Sequence, residues 1–238
     1  MQPEDVLKEV QDAGLKGRGG AAFPTALKWS FLARAPGQIK YILCNCEEGD
    51  PGAYNDKGIL ESDPHTLLEG ILLAGYATGA THGYIFIRHG HDGPIERAKE
   101  AVRQAGELGI LGNSIFGSDF DFQVEVALTG DSYVAGEETA LMEAIEGSRA
   151  MPRFRPPFPA QVGLFGRPTL VNNVETVYWL RDIIEKGPEW FANKGIGGKK
   201  GFHSFSVSGR VKKPGVKIAP AGITVQELID DYLSLIHI

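Results

Sequence analysis

The chain has 238 residues, 42% of them hydrophobic and 23% charged, the composition of an ordinary soluble globular protein with room for one large domain and a smaller unit. A net charge of −6 excludes a general nucleic-acid or anionic-membrane surface, and no apolar run reaches the roughly 20 residues of a membrane span. With only Cys44 and Cys46 there is no disulfide framework, and the acidic start MQPEDVLKEV lacks the regions of a secretory signal, so a reducing cytoplasmic setting is expected. Glycine, at 31 residues, is close to twice its usual share, which implies many sharp turns or close backbone approaches.

Pro3–Ala13 reads as a helix stopped by Gly14. The cluster Gly17–Gly20 follows, and Pro24 opens a second helix to about Ala33. Lys40–Cys46 is a buried strand that runs into a polar, Gly/Pro-rich loop over Glu47–Gly58. Asp63 and Pro64 have the chemistry to start a helix through Gly75. Gly83–Arg88 is a second strand and Pro94–Leu108 a long helix. Over Asp121–Leu128, Phe122, Val124, Val126 and Leu128 alternate with polar residues, the period of a strand. A helix near Glu137–Glu146 precedes the proline-rich Pro152–Pro159, and Val174–Lys186 forms a helix capped by Asn172 or Asn173. Strands separated by helices of this length predict an α/β domain with a mainly parallel sheet.

Beyond the Gly/Lys-rich Lys194–Gly201 the character changes. His203–Ser208 is strand-like, and Thr224–Glu227 is a capping box that opens a helix. These pieces do not close a core, so the second unit is expected to be incomplete, and the terminal SLIHI reads as a sequence-end artefact rather than native chain.

Four segments could carry chemistry. In GLKGRGGAAFPTALKW, Gly14–Trp29, glycines before a helix start gather backbone N–H groups suited to an anion. Gly17, Gly19 and Ala22 fit the spacing G-x-G-x-x-A, but a helix and not a strand precedes them, and on this spacing alone a plain surface turn between helices is the better reading. In CNCEEGDPGAYND, Cys44–Asp56, a strand carries Glu47, Glu48 and Asp50 to the carboxyl edge of the sheet, where ligands of open α/β folds bind. Those carboxylates could accept bonds from a ligand, hold a hard cation, act as an acid/base pair or form a solvated turn. Cys44 and Cys46 lie on one strand face and read as small buried hydrophobes. GDSYVAGEETALMEAIEG, Gly130–Gly147, places Glu137 and Glu138 in a first helical turn, which the helix dipole explains without a function. In RFRPPFPAQVGLFGRPTLVNNVET, Arg153–Thr176, prolines stiffen a loop bearing Arg155 and Phe158 ahead of the paired asparagines.

In this order and spacing, GRGGAAFPTALKW, GEETALMEAIEG and PPFPAQVGLFG with NNVET resemble the FMN-binding flavoprotein subunit of NADH:quinone oxidoreductase (respiratory complex I) and its relatives in NAD-linked hydrogenases and formate dehydrogenases. The resemblance covers about Gly14–Lys186. It implies a Rossmann-like FMN-binding domain over residues 1–196 and, over 202–238, the truncated start of a ubiquitin-like β-grasp domain. By that resemblance, Gly17, Arg18, Gly19, Gly20 and Lys28 line the FMN cavity with Asn45, Glu47, Glu48, Gly136 and Glu137. Asn172, Asn173 and Thr176 fall near the FMN phosphate. NADH falls to Phe23, Phe31 and Phe158 around the adenine, with Tyr133, Glu138, Asp50 and Arg155. Asp50 stands where complex I subunits usually carry glutamate, Arg155 replaces lysine, and Cys46 and Glu47 replace alanine and aspartate.

The implied function is hydride transfer from NADH to FMN, with no catalytic side chain and no metal in this chain. A carboxylate crowd around the ring would lower the flavin's potential. Electrons would pass to a 4Fe–4S cluster in a missing C-terminal domain, and onward through a thioredoxin-like iron–sulfur subunit and further subunits. The complex would be cytoplasmic, or peripheral to the inner membrane face, with no direct membrane insertion. A non-catalytic adaptor that keeps the fold without flavin, and a carboxylate-based metal hydrolase, are the competing readings.

Overall fold

The computed structural model describes residues 1–130 and 132–233. Its main sheet contains β1 (Tyr41–Cys46), β2 (His82–Arg88), β3 (Gln123–Thr129) and β4 (Thr169–Asn173) in the order β3-β2-β1-β4. All pairings are parallel: Tyr41 lies beside His82 on one side and Thr169 on the other, and His82 lies beside Gln123. The chain therefore builds outward from β1 in one direction and returns to build in the other. That reversal opens a crevice at the carboxyl ends of β1 and β4.

Strand β1 shows why the sheet is covered on both faces. Ile42, Cys44 and Cys46 enter the larger core with Trp29, Leu67, Ile71 and Leu180. Leu43 enters a smaller core with Phe86, Leu141, Met142 and Val171. Side chains of period two thus feed two helical layers, the usual condition of a parallel sheet. The larger layer holds α1 (Pro3–Ala13), α2 (Thr25–Arg34), α3 (Asn55–Ser62), α4 (Pro64–Thr78), α5 (Asp92–Glu107) and, after the strands, α7 (Val174–Lys186) and α8 (Pro188–Ala192). The smaller layer is carried by α6 (Glu138–Ile145). Each fully buried Leu or Ile adds about 1.5–3 kcal/mol.

Local signals explain most helix starts. Asp63 accepts from the Thr66 N–H at 3.2 Å ahead of α4, and Asn173 accepts from Glu175 and Thr176 at the head of α7. The expected stop of α4 at Gly75 is passed, and the helix runs to Thr78. Inside it, Gly70 sits so close to α7 that a Cβ there would lie 2.3 Å from the Val177 carbonyl oxygen. Lys40 ties two helix ends together: its ammonium donates to the Leu32, Ala33 and Thr78 carbonyls at 2.9, 3.0 and 3.3 Å.

The loop expected over Glu47–Gly58 is not all loop, because α3 begins at Asn55. Its cap comes from upstream: Glu48 accepts the N–H groups of Asn55, Asp56 and Lys57 at 2.7, 3.1 and 3.0 Å.

The C-terminal unit pairs β5 (Phe202–Val207) antiparallel with β6 (Gly215–Pro220), a strand missing from the sequence expectation, and adds α9 (Val225–Leu228). Thr224 and Glu227 form the expected capping box. Val211, Ala219, Leu228 and Leu233 make a small cluster, so the unit does enclose some apolar surface. Strand β5 docks on the main domain: Phe202 stacks on Trp179 at 5.3 Å, and Ser204 N–H donates to Glu175 at 3.0 Å. The SLIHI segment lies outside the described residues.

Candidate functional site

The glycine loop between α1 and α2 is closed at its base by backbone bonds from Gly17 to Phe23 and from Thr25 to Leu15, 2.9 and 3.0 Å long. It leans on the head of α7, where the Arg18 N–H donates to Thr176 Oγ1 at 2.8 Å. Ala22 holds the left-handed conformation, φ 53°, strain of about 1–2 kcal/mol concentrated at the cleft wall.

Between this loop, β1, β4 and the head of α6 runs one cleft with two chambers. The inner chamber, about 260 Å³, is walled by Gly17 and Gly19 from the loop, Asn45 from β1, and Gly136 and Glu137 before α6. Asn172, Asn173 and Thr176 complete it from β4 and α7. The outer chamber, about 1010 Å³, is mostly apolar and carries Phe23, Phe31 and Phe158 with Arg155. Ala21, Phe23, Lys28 and Glu138 border both. The three outer phenylalanines are 43%, 46% and 55% exposed, large apolar faces left open to a ligand.

The inner chamber contains an unanswered donor. Asn172 Nδ2 is buried and has no hydrogen-bond partner among the described residues, whereas Asn173 is spent on capping α7. A buried amide needs an acceptor, and the open space beside it is the chamber. Asn45 shapes the wall at the end of β1, donating to the Gly136 carbonyl at 2.8 Å and accepting the Glu47 N–H at 3.0 Å. A Cβ at Gly136 would fall 2.8 Å from Glu47 Oε2, so a side chain there would have to displace that carboxylate.

Three of the carboxylates in the expected crowd, Glu47, Glu137 and Glu138, have cations beside them. Lys28 Nζ donates to Glu138 Oε2 at 2.8 Å, and Arg155 holds Glu138 Oε1 at 2.6 Å while lying 3.4 Å from Glu137. Arg88 grips Glu47 at 2.6 Å. Burial pushes the Glu137 carboxyl up, but bonds from Thr139 and Ala140, with Arg155 nearby, hold it below the usual range.

Not every expected residue reaches the cleft. The Arg18 guanidinium turns away to the Lys16 and Phe202 carbonyls at 3.0 and 2.8 Å, and neither it nor Gly20 lines a chamber. Glu48 caps α3 and Glu47 lies behind Gly136, so both stand one layer back. Asp50 and Tyr133 line neither chamber but meet each other, the Tyr133 hydroxyl donating at 2.7 Å. That bond raises the Tyr133 pKa.

Sequence reasoning passed over Arg88, Asp56 and Glu175. Asp56 is buried and pushed up to about 8 by burial, with Glu48 and Glu175 adding to the effect. Its only sequence signal was a place at the end of an acidic motif, where a carboxylate is ordinary. Among the described residues no group of three or more His, Cys, Asp or Glu is arranged to hold a metal, and no helix is long and apolar enough to cross a membrane.

A parallel sheet with a switch-point crevice, a glycine loop and an aromatic-walled outer chamber defines an α/β protein built for a nucleotide cofactor. The chain belongs to the Nuo51 FMN-binding domain family, whose model matches residues 10–182. It is 43% identical to an F subunit of NADH-quinone oxidoreductase from Rhizobium meliloti, over 97% of this chain and 55% of the relative. It is also 43% identical to the NADP-reducing hydrogenase subunit HndC of Solidesulfovibrio fructosivorans, over 97% of this chain and 47% of that one. The solved NAD+-reducing [NiFe]-hydrogenase in the H2-reduced state superposes with TM-score 0.88 at 36% identity, covering 96% of this chain and 38% of the hydrogenase chain. The chain thus spans about half the length of the curated relatives it matches.

Proposed function

We propose that the inner chamber holds FMN, that the outer chamber holds a nicotinamide nucleotide, and that the chain is the NADH-oxidising flavoprotein part of a larger electron-transfer complex. The unpartnered Asn172 amide, facing a glycine-walled chamber that opens into an aromatic one, carries this reading. The residues fit a flavin: backbone approaches closely at Gly17, Gly19 and Gly136, and Asn172 supplies a desolvated donor. When bound, FMN supplies the hydride acceptance and one-electron release that no side chain of this protein can provide.

The protein's own part is binding, orientation and exclusion of water. Phe23, Phe31 and Phe158 offer faces for the adenine to stack on, and one nucleotide pocket is accounted for, which favours FMN over FAD. Lys28 and Glu138, at the border of the chambers, would position the nicotinamide against the flavin. Tyr133 and Asp50, joined outside the chambers, would contact the nicotinamide nucleotide. Residues 1–196 are assigned to this site, and the β5–β6 hairpin to the start of a β-grasp unit. Onward transfer would use a 4Fe–4S cluster outside this chain and a thioredoxin-like iron–sulfur subunit. The assembly is assigned to the cytoplasm or the inner membrane face.

Heat-released flavin run on a column should co-elute with FMN, and the loaded protein should reduce ferricyanide with NADH. A peak at FAD would overturn the cofactor assignment. A soluble, FMN-loaded preparation that reduces no ferricyanide with NADH or NADPH would overturn the activity.

A further inference from the structure

Behind the inner chamber lies a buried carboxyl that the proposed reaction does not use. Asp56, in the first turn of α3, accepts from Asn173 Nδ2 at 2.6 Å. The other end of the same amide accepts from Glu175 N at 2.9 Å and Thr176 N at 3.4 Å. Asn173 is therefore clamped between α3 and α7, and it and Thr176 form chamber wall.

The groups facing Asp56 are mostly acidic. Glu48 approaches from the loop after β1, Glu175 from the head of α7, and the Cys44 and Cys46 thiols from β1. The nearby cations are turned toward other partners: Lys57 stands 4.0 Å from Glu48, and Arg18 Nε 3.9 Å from Glu175. His91, at the head of α5, faces Lys57, Arg88, Glu48 and Glu47, and burial lowers its pKa. Among the described residues no cation lies within ion-pair distance of Asp56, and burial holds its carboxyl at about 8.

We propose that Asp56 is a positioning residue for the flavin site: it holds the Asn173 amide in the chamber wall, and gain or loss of its proton changes how tightly that site binds FMN. This rests on the reading that the inner chamber holds FMN. With its proton on, the carboxyl still accepts from the Asn173 amide and adds no charge. With its proton off, a further negative charge stands behind the wall of a chamber that must take an anionic phosphate ester. FMN then binds more weakly, and by reciprocity bound FMN strengthens the hold of Asp56 on its proton.

The test is titration of FMN into the flavin-stripped full chain, followed by flavin fluorescence from pH 6.5 to 9.5 in steps of about half a unit, a range that brackets this ionisation. For the native protein, Kd should rise by about tenfold toward alkaline pH. D56N, which can still accept from Asn173, should bind as tightly as the native protein at the acid end and show a flat profile. D56L, which cannot accept, should bind about tenfold more weakly at every pH. In the flavin-free protein, the Asn173 side-chain amide resonance should move with pH in the native chain and stay still in D56N, a readout that needs no cofactor. Absence of FMN binding by the native chain at any pH would overturn the reading of the chamber. FMN binding with D56N tracking the native pH profile, with D56L binding like the native chain, or with an Asn173 resonance indifferent to pH, would overturn the role of Asp56 alone.

Discussion

Lys28 Nζ and Glu138 Oε2 lie 2.8 Å apart at the border shared by the two chambers. Arg155 grips the other oxygen of the same carboxylate at 2.6 Å. One charge thus holds two cations that come from α2 and from the proline-rich loop. Glu138→Gln should leave FMN bound, because the glycine and asparagine walls of the inner chamber are unchanged and the swap is nearly isosteric, and should weaken NADH binding by about tenfold as the two cations lose their shared charged partner. Stopped-flow bleaching of the flavin by NADH measures this. Unchanged bleaching at full flavin content would reduce Glu138 to a helix-start carboxylate.

Gly136→Ala is expected to act on the inner chamber itself. The new methyl would fall 2.8 Å from Glu47 Oε2 and 3.4 Å from the Glu47 backbone oxygen. Because Glu47 is anchored by Arg88, the strain passes to the turn that carries Gly136 into the wall. FMN retained through gel filtration should drop sharply while the fold persists. Full retention would mean that the turn yields without cost.

Lys40→Met should be a stability mutation with no direct effect on the cleft. The ammonium donates to three helix-terminal carbonyls of α2 and α4; methionine would remove that donor from Ala33 and Thr78, while Leu32 would keep only the Ala35 N–H at 3.1 Å. A loss of about 2–4 kcal/mol is expected, read as a lower urea midpoint at unchanged m-value. A midpoint equal to that of the native chain would show that water takes over these carbonyls.

Asp56 also predicts the sign of a pH effect on stability. Its folded carboxyl titrates at about 8, against about 4 in an unfolded chain. Between those values the folded state holds a proton that the unfolded state has released, so this contribution is full below about 4 and is lost as pH rises through about 8. Urea midpoints of the native chain should fall from pH 5 to pH 8 more steeply than those of Asp56→Asn. Parallel curves would show that Asp56 does not titrate in this window.

Much of this architecture was legible because its signals are local. Pro3 and Gly14 delimit α1, and the alternation around Val124 marks β3. The capping box at Thr224 marks α9. The glycine loop and the paired asparagines were recognisable as a unit, but not which asparagine caps α7. That depends on a backbone turn, and it leaves Asn172 free for the chamber.

What stayed hidden depends on contacts distant in sequence. Helix α3 has no capping residue beside it, since its cap is the Glu48 side chain folded back from the preceding loop. The Arg18 side chain looked like a cavity cation, yet its direction is decided by Phe202, which belongs to the hairpin. The compensation of Glu47 by Arg88 joins the ends of two adjacent strands and leaves no mark in either motif.

The pairing of β1 with β4 also determines when a binding site can exist during folding. Cys44 lies beside Asn172 only after the chain has passed through β2, β3 and α6 and crossed back to the first strand. Closing so long a loop is the slow part of assembling a parallel sheet. Asn45 and Asn172, which line the inner chamber from adjacent strands, are therefore brought together only when β4 pairs with β1. A half-folded chain offers a flavin nothing to hold, so cofactor capture marks the completion of the sheet and favours only molecules that have reached it.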